Sequence, residues 1–139
     1  MDAALKIVRL IRIALIASIV LYALIGEVVG RGVTTVPNTT VYFAITFVAI
    51  ADVGAIAVMR RLFVTPAEGV LASQPADTAA LGRWRAGYLI TYALCEAVAL
   101  FGLVLRILGF PLSQVATFYA VGLILLLLFG PRRPSNEIG

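Results

Sequence analysis

Histidine is absent from this chain of 139 residues, and cysteine occurs once, at Cys95. Without histidine, bis-histidine haem ligation, most catalytic zinc sites and every acid–base mechanism that depends on an imidazole are excluded. A single cysteine excludes an internal disulfide, and in an apolar stretch such a thiol behaves as a small hydrophobic side chain. Because no nucleophile–base pair or metal cluster is visible either, we expect neither an enzyme nor a bound cofactor or metal.

Charge is also scarce, since only 13% of the residues are charged whereas 62% are hydrophobic. The mean hydropathy is +1.06. Soluble domains carry roughly a quarter charged residues, so this composition predicts an integral membrane protein with little mass outside the lipid bilayer. The net charge is +4. The cations are dispersed between long apolar runs, which favours helix ends at a membrane surface over a nucleic-acid interface.

Four apolar runs are long enough to cross a bilayer. They predict an all-α bundle of four transmembrane helices in a single domain over residues 1–139, with spans at about 10–29, 40–60, 83–108 and 112–130. Residues 61–82 form the one substantial loop, and Thr65-Pro66-Ala67-Glu68 has the pattern of a capping box that begins a short surface helix. Asn38 or Thr39 is placed to cap the second span, residues 75–78 to start the third helix, and residues 109–111 to form a tight turn.

The basic residues predict the topology. One set falls on one side of the predicted bundle: Lys6, Arg9, Arg12, Arg60, Arg61, Arg83, Arg85, Arg132 and Arg133. Only Arg31 and Arg106 fall on the other side. The positive-inside rule then places both termini and the 61–82 loop in the cytoplasm, as in a multi-pass protein of the cytoplasmic (inner) membrane. Lys6, Arg9 and Arg12 are three residues apart, which predicts an amphipathic run at the membrane surface. Trp84 is predicted to lie at the membrane interface.

Two acids lie inside the predicted spans. Glu96 follows Arg85 by eleven residues, roughly 16 Å along a helix, and Asp52 precedes Arg60 by eight, roughly 12 Å. In a hydrocarbon core about 30 Å thick, Glu96 is therefore near the midplane. An acid there binds a proton or cation, or it forms hydrogen bonds that hold helices together. Tyr92 precedes Glu96 by four residues and shares its helical face, so we include it in a candidate ion-binding site with both acids.

Glu27 and Arg106 lie toward the outer ends of the first and third spans. They either pair with each other across the bundle or reach water separately. In both cases we interpret them as structural.

Residues 74–108 resemble the second half of the c subunit of rotary ATP synthases, the proteolipid that forms the ion-carrying ring. In that family a polar Arg-Gln/Asn-Pro loop leads into a helix with a central carboxylate. Here residues 73–75 read Ser-Gln-Pro, residues 93–97 read Ala-Leu-Cys-Glu-Ala and residues 101–104 read Phe-Gly-Leu-Val. The resemblance implies that Glu96 is the ion-binding carboxylate. The chain departs from the family in having Ser73 where the loop arginine stands, and in having two additional spans.

The sequence thus predicts a small membrane protein with a midplane carboxylate that binds a proton or cation and acts as a homo-oligomer or with other membrane subunits. An accessory or scaffolding subunit with purely structural acids is one alternative. A small proton-coupled exporter is another, and it requires a cavity near Glu96 lined by aromatic residues such as Tyr88, Tyr92 and Phe101. No nucleic-acid partner is expected.

Overall fold

A computed structural model describes residues 2–30 and 38–131, which are helical apart from short turns and contain no strand. The helices are α1 (Asp2–Gly30), α2 (Thr39–Met59), α3 (Thr65–Ser73), α4 (Thr78–Ile107) and α5 (Leu112–Leu128). A π-helical turn, Arg60–Val64, joins α2 to α3. The prediction of an all-α fold is confirmed. Arg31, Arg132 and Arg133, which contributed to the predicted topology, lie outside the described residues.

The prediction of a loop at residues 61–82 is wrong in part, because the short helix predicted to begin at Thr65 is present as α3, Thr65–Ser73, but the residues before it are also helical. The helix that begins at Thr39 continues through the π turn to Ser73, and only residues 74–77 interrupt helical structure before α4. The capping box at Thr65 does not form either, because the preceding residue, Val64, is itself helical and makes no side-chain cap. A proline inside a helix clashes with the carbonyl four residues before it, here that of Leu62. The wider π turn across Leu62 accommodates Pro66 without ending the helix.

Three helical segments are long and apolar enough to cross a membrane: Asp2–Gly30, Thr39–Ser73 and Thr78–Ile107. The fourth, α5, is apolar but has only 17 residues, about 25 Å of helix. The structure therefore supports a four-helix architecture with three helices of membrane-spanning length. A crossing by α5 stays a prediction.

The central helix is α4, which packs against α1, α2, the π turn, α3 and α5. In the described part of the chain, α2 makes no close backbone contact with α1 or α5. Large apolar side chains on α1 and α2 consequently face outward, among them Leu24, Val28, Phe43 and Phe47. Such outward faces suit contact with lipid or with neighbouring membrane helices.

Local capping and turn signals define the other boundaries. The Asn38 side chain accepts a hydrogen bond from the Thr40 N–H, and Asp77 accepts one of 2.9 Å from the Ala80 N–H. Between α4 and α5, Gly109 has a φ of 101°, a left-handed conformation that glycine adopts without strain. The predicted starts of α2 and α4 and the predicted tight turn are confirmed.

Three helices extend past the end of α5. The Tyr92 hydroxyl donates to the Phe129 carbonyl at 2.9 Å, and the Arg12 Nε donates to the Leu126 carbonyl at 2.9 Å. Residues 2–11 of α1, 78–91 of α4 and all of α3 therefore lie beyond the C-terminal end of α5. We call this part of the molecule the overhang. On α4 alone it measures about 21 Å.

The overhang has its own buried apolar side chains, which include Val8, Leu71, Trp84 and Tyr88. This packing bears on two predictions. Residues 6–12 are amphipathic as predicted, with Lys6 and Arg9 exposed and Val8 fully buried, but they belong to α1, and their location at the membrane surface stays a prediction. Trp84 is not an interfacial side chain, since it is 0% exposed and its ring lies 4.8 Å from that of Tyr88.

Candidate ion-binding site

Glu96 lies on the buried face of α4, with 8% of its surface exposed. Both of its carboxyl oxygens are buried and neither has a hydrogen-bond partner. The Tyr22 hydroxyl of α1 interacts with this carboxyl, although its placement falls short of hydrogen-bond geometry. A buried carboxyl without a bonded donor or cation is uncommon, because the lost hydration is not replaced.

The packing of α5 fixes the depth of Glu96. A Cβ atom at Gly122 would lie 2.9 Å from the carbonyl oxygen of Cys95, so the two helices touch at this level. Gly122 is ten residues after Leu112 and six before Leu128, or about 15 Å and 9 Å along the axis. Glu96 therefore lies inside the layer that α5 spans, nearer to the end where Arg12 bonds the α5 carbonyls.

Asp52 is the second acid of the predicted site, and its side chain on α2 is partly buried. One carboxyl oxygen, Oδ2, is buried without a hydrogen-bond partner. Asp52 interacts electrostatically with Cys95 of α4, whereas Glu96, the next residue, faces Tyr22 on α1. Because neither Glu96 oxygen has a partner, the structure does not join the two acids by a hydrogen bond. They are separate carboxyls on two sides of α4, that of Glu96 buried and that of Asp52 partly buried.

Tyr92 does not join the site. Helical spacing puts it on the face of Glu96, but its hydroxyl donates to the Phe129 carbonyl at 2.9 Å. Side chains on a helix lean toward its N-terminus, so the phenol points away from Glu96 into the end of α5. Tyr88 leans the same way, and its hydroxyl lies 3.4 Å from the Oε1 of Glu68.

Tyr22 is the site residue that the sequence analysis missed. Its position in the sequence could have identified it. The apolar stretch from Ile13 to Val29 contains only three polar residues, which are Ser18, Tyr22 and Glu27. Pairing it with Glu96 required the packing of α1 against α4, which no local pattern gives.

Arg60 occupies the end of the bundle nearest the overhang. Its guanidinium lies 4.5 Å from the ring centre of Phe129 and 5.3 Å from that of Tyr88. The Nη1 atom is buried without a hydrogen-bond partner. Contacts of this kind with two aromatic rings stabilise a cation that has lost part of its hydration.

Glu27 and Arg106 form an ion pair between α1 and α4, with 3.2 Å between Oε1 and Nε. The side chain of Arg106 is 16% exposed and that of Glu27 is 32% exposed. Arg106 Nη1 also donates to the Phe110 carbonyl at 3.0 Å. The pair therefore joins the bundle at the end opposite Arg60.

A groove of about 280 Å³ lies between α2, α4 and α5. Its lining is largely apolar and includes Tyr42, Val98 and Phe118. Tyr88, Tyr92 and Phe101, the aromatic residues expected around an exporter cavity, do not line it. In the described ranges, no three Cys, Asp or Glu residues come together as potential metal ligands.

Comparison of the chain with known protein families, with curated proteins and with solved structures finds no match.

Proposed function

We propose that this protein is an integral membrane protein that binds and releases a proton at Glu96. The observation that carries the proposal is the pair of buried carboxyl oxygens on Glu96, unbonded and facing the Tyr22 hydroxyl between apolar helices. An ionised carboxylate left unpaired in such surroundings is costly by several kcal/mol. A bound proton neutralises that charge, and a nearby hydroxyl can orient the resulting acid.

A proton fits this site better than a metal cation. Hard cations such as Mg²⁺ and Ca²⁺ take about six or more oxygen ligands, whereas the groups facing one another here are a single carboxyl and a phenol. Asp52 lies on the Cys95 side of α4 and does not add its oxygens to this set.

The rival role of a scaffolding subunit assigns both acids to structural hydrogen bonds. The two unbonded oxygens of Glu96 and the unbonded Oδ2 of Asp52 argue against that role. The exporter role needs an aromatic cavity beside Glu96, and the groove between α2, α4 and α5 is lined by other residues. We therefore favour proton binding in a subunit that works as an oligomer or within a larger complex of the cytoplasmic membrane.

The resemblance to the ATP synthase c subunit supports the same role. Residues 74–77 form the turn between α3 and α4, as the polar loop precedes the carboxylate helix in that family. The outward apolar faces of α1 and α2 are available to lipid or to neighbouring subunits. By this resemblance, too, Glu96 carries the ion.

The test is infrared difference spectroscopy on protein in lipid vesicles, where a protonated carboxyl gives a carbonyl band that disappears on deprotonation. We expect one such band to be lost in Glu96→Gln, together with proton uptake measured by a trapped pH indicator. Asp52→Asn is the matched control, because it removes the other buried acid and should leave the Glu96 band in place. Uptake that is unchanged in folded Glu96→Gln would overturn the proposal.

A further inference from the structure

Tyr119 on α5 is a second polar group that is buried without a partner. It is 8% exposed, and its hydroxyl has no hydrogen-bond partner. The phenol occupies a slot formed by two glycines. A Cβ at Gly26 of α1 would lie 2.8 Å from the hydroxyl oxygen, and one at Gly102 of α4 would lie 3.2 Å from ring carbon Cε1. The absence of side chains at both positions brings the hydroxyl into the seam between α1 and α4.

That hydroxyl lies between the Glu96 site and the Glu27–Arg106 pair. On α1, Gly26 is one turn past Tyr22, about 6 Å, and directly precedes Glu27. On α4, Gly102 is six residues past Glu96 and four before Arg106, or about 9 Å and 6 Å. Tyr119 also interacts electrostatically with both Glu27 and Arg106.

We propose that the seam of α1, α4 and α5 is the route by which protons reach Glu96, with Tyr119 as its intermediate relay. The inference rests on the proposed proton binding at Glu96. The order of groups from the surface inward is Glu27, Tyr119, Tyr22 and Glu96. Glu27 is 32% exposed, so its end of the seam is open to water. Each hydroxyl passes its own proton inward while accepting another from the outer side, so that it ends neutral and no group is oxidised or reduced.

The spacing sets a condition on this route. Gaps of about 6 to 9 Å along the helices exceed one hydrogen bond. Transfer from Tyr119 to Tyr22 therefore takes a bridging water molecule or a rotation of a phenol ring, whereas Tyr22 already interacts with the Glu96 carboxyl. The unbonded hydroxyl of Tyr119 is suited to this step, because its donor and its acceptor capacity are both free.

The opposite end of the bundle is less suited to proton entry. Arg60 lies there between the rings of Phe129 and Tyr88, and Arg12 bonds the carbonyls of Leu126 and Leu127. Two fixed positive charges at a constriction form an electrostatic barrier to a cation. At the Glu27 end, Arg106 is the one cation of residues 2–30 and 38–131 that contacts the seam, and its ion pair with Glu27 neutralises it.

The experiment measures the rate of proton uptake in vesicles that contain the protein in one orientation, with a pH jump applied to either side. In Tyr119→Phe we expect uptake from the Glu27 side to slow by about a hundredfold, while the infrared band of Glu96 at equilibrium is unchanged. Gly26→Ala should slow uptake in the same way, since its methyl group displaces the hydroxyl. Tyr42→Phe is the matched control, because Tyr42 packs against Phe110 outside the seam.

The outcomes separate the two proposals. If the wild type shows no Glu96 carbonyl band, or a band that does not change with pH, the proposed function itself is contradicted. A wild type that titrates normally, alongside a folded Tyr119→Phe variant with unchanged rates from both sides, overturns the relay alone. Faster entry from the Arg60 side than from the Glu27 side also overturns it.

Discussion

Gly87 of α4 illustrates how one missing side chain determines the contact between two helices. A Cβ at this position would lie 2.5 Å from Cγ2 of Val64, 3.0 Å from Cβ of Phe63 and 3.3 Å from the Val64 backbone nitrogen. These atoms belong to the π turn, whose backbone cannot move away without disturbing the helix. We expect Gly87→Ala to lower the free energy of unfolding by about 1–3 kcal/mol, measured by chemical denaturation in detergent.

Two further variants test this explanation. Gly82→Ala adds a methyl group to the same helix where nothing lies within 4 Å, and it should stabilise the protein by up to about 1 kcal/mol. Val64→Ala combined with Gly87→Ala should recover part of the loss. Equal effects of alanine at positions 82 and 87 would show that close packing is not the cause.

Trp84 is the only tryptophan in the chain, so its fluorescence reports on one site. It is 0% exposed and packs against Tyr88 inside the overhang. We expect a blue-shifted emission that is weakly quenched both by acrylamide in water and by brominated acyl chains in the lipid. A tryptophan at the membrane interface would instead be quenched strongly by lipid brominated near its head group, and that result would contradict the structure.

At the scale of the helices, Arg12 connects α1 to the end of α5. Its Nε and Nη2 atoms donate to the carbonyls of Leu126 and Leu127 at 2.9 Å and 3.1 Å. These carbonyls belong to the last turn of α5 and have no hydrogen-bond donor within the helix. The positive charge of Arg12 also interacts favourably with the negative C-terminal end of the helix dipole. We expect Arg12→Ala to destabilise the protein by about 1–2 kcal/mol in the same unfolding assay.

Arg9→Ala is the matched control, because Arg9 is exposed on the same helix and its replacement removes the same charge. It should change the free energy of unfolding by less than about 0.5 kcal/mol. Arg12→Lys should fall between the two variants, since one ammonium group does not reproduce the paired donors of a guanidinium. A loss as large in Arg9→Ala as in Arg12→Ala would indicate an effect of net charge rather than of the two hydrogen bonds.

The helix boundaries that the sequence predicted correctly depend on neighbouring residues. Asp77 accepts from a backbone N–H three residues on, and Gly109 takes a positive φ directly after α4. Both signals are complete within a few residues. The π turn before Pro66 is different, since it keeps the helix continuous where the proline and Thr65 suggested a new start. Its packing against Gly87, about twenty residues away in sequence, is a tertiary contact.

The candidate site was predictable only in part for the same reason. Apolar length and charge placed Glu96 inside the third span, and the structure buries it there. The contacts that Tyr92 and Glu96 make with other helices were not predictable from the spacing of residues along α4. Tyr92 bonds to Phe129 because α5 ends at that level, and Tyr22 faces Glu96 because α1 packs beside α4. Both facts depend on how far one helix extends past another.

At the scale of the whole molecule, the relative lengths of the helices divide the protein into two layers. One layer is spanned by all four helical segments and contains Glu96 and Asp52. The other is the overhang, which contains Trp84 and exposes Arg83 and Arg85. Because exposed arginines are costly in hydrocarbon, we infer that the overhang lies in water, on the side that the basic residues predict to be cytoplasmic. The membrane boundary then falls near Arg12 and Arg60 rather than near Arg85.

This arrangement predicts opposite accessibility for two exposed positions. Gln74 lies in the turn at the tip of the overhang, and Asn38 caps α2 at the other end of the bundle. In a Cys95→Ala background, Gln74→Cys should react with a membrane-impermeant maleimide only when the cytoplasmic face is accessible. Asn38→Cys should react from the outside in intact cells. Cys95, which is 0% exposed, should stay unreactive in the otherwise wild-type protein. Labelling of both introduced cysteines from the same side would rule out the topology proposed for the membrane.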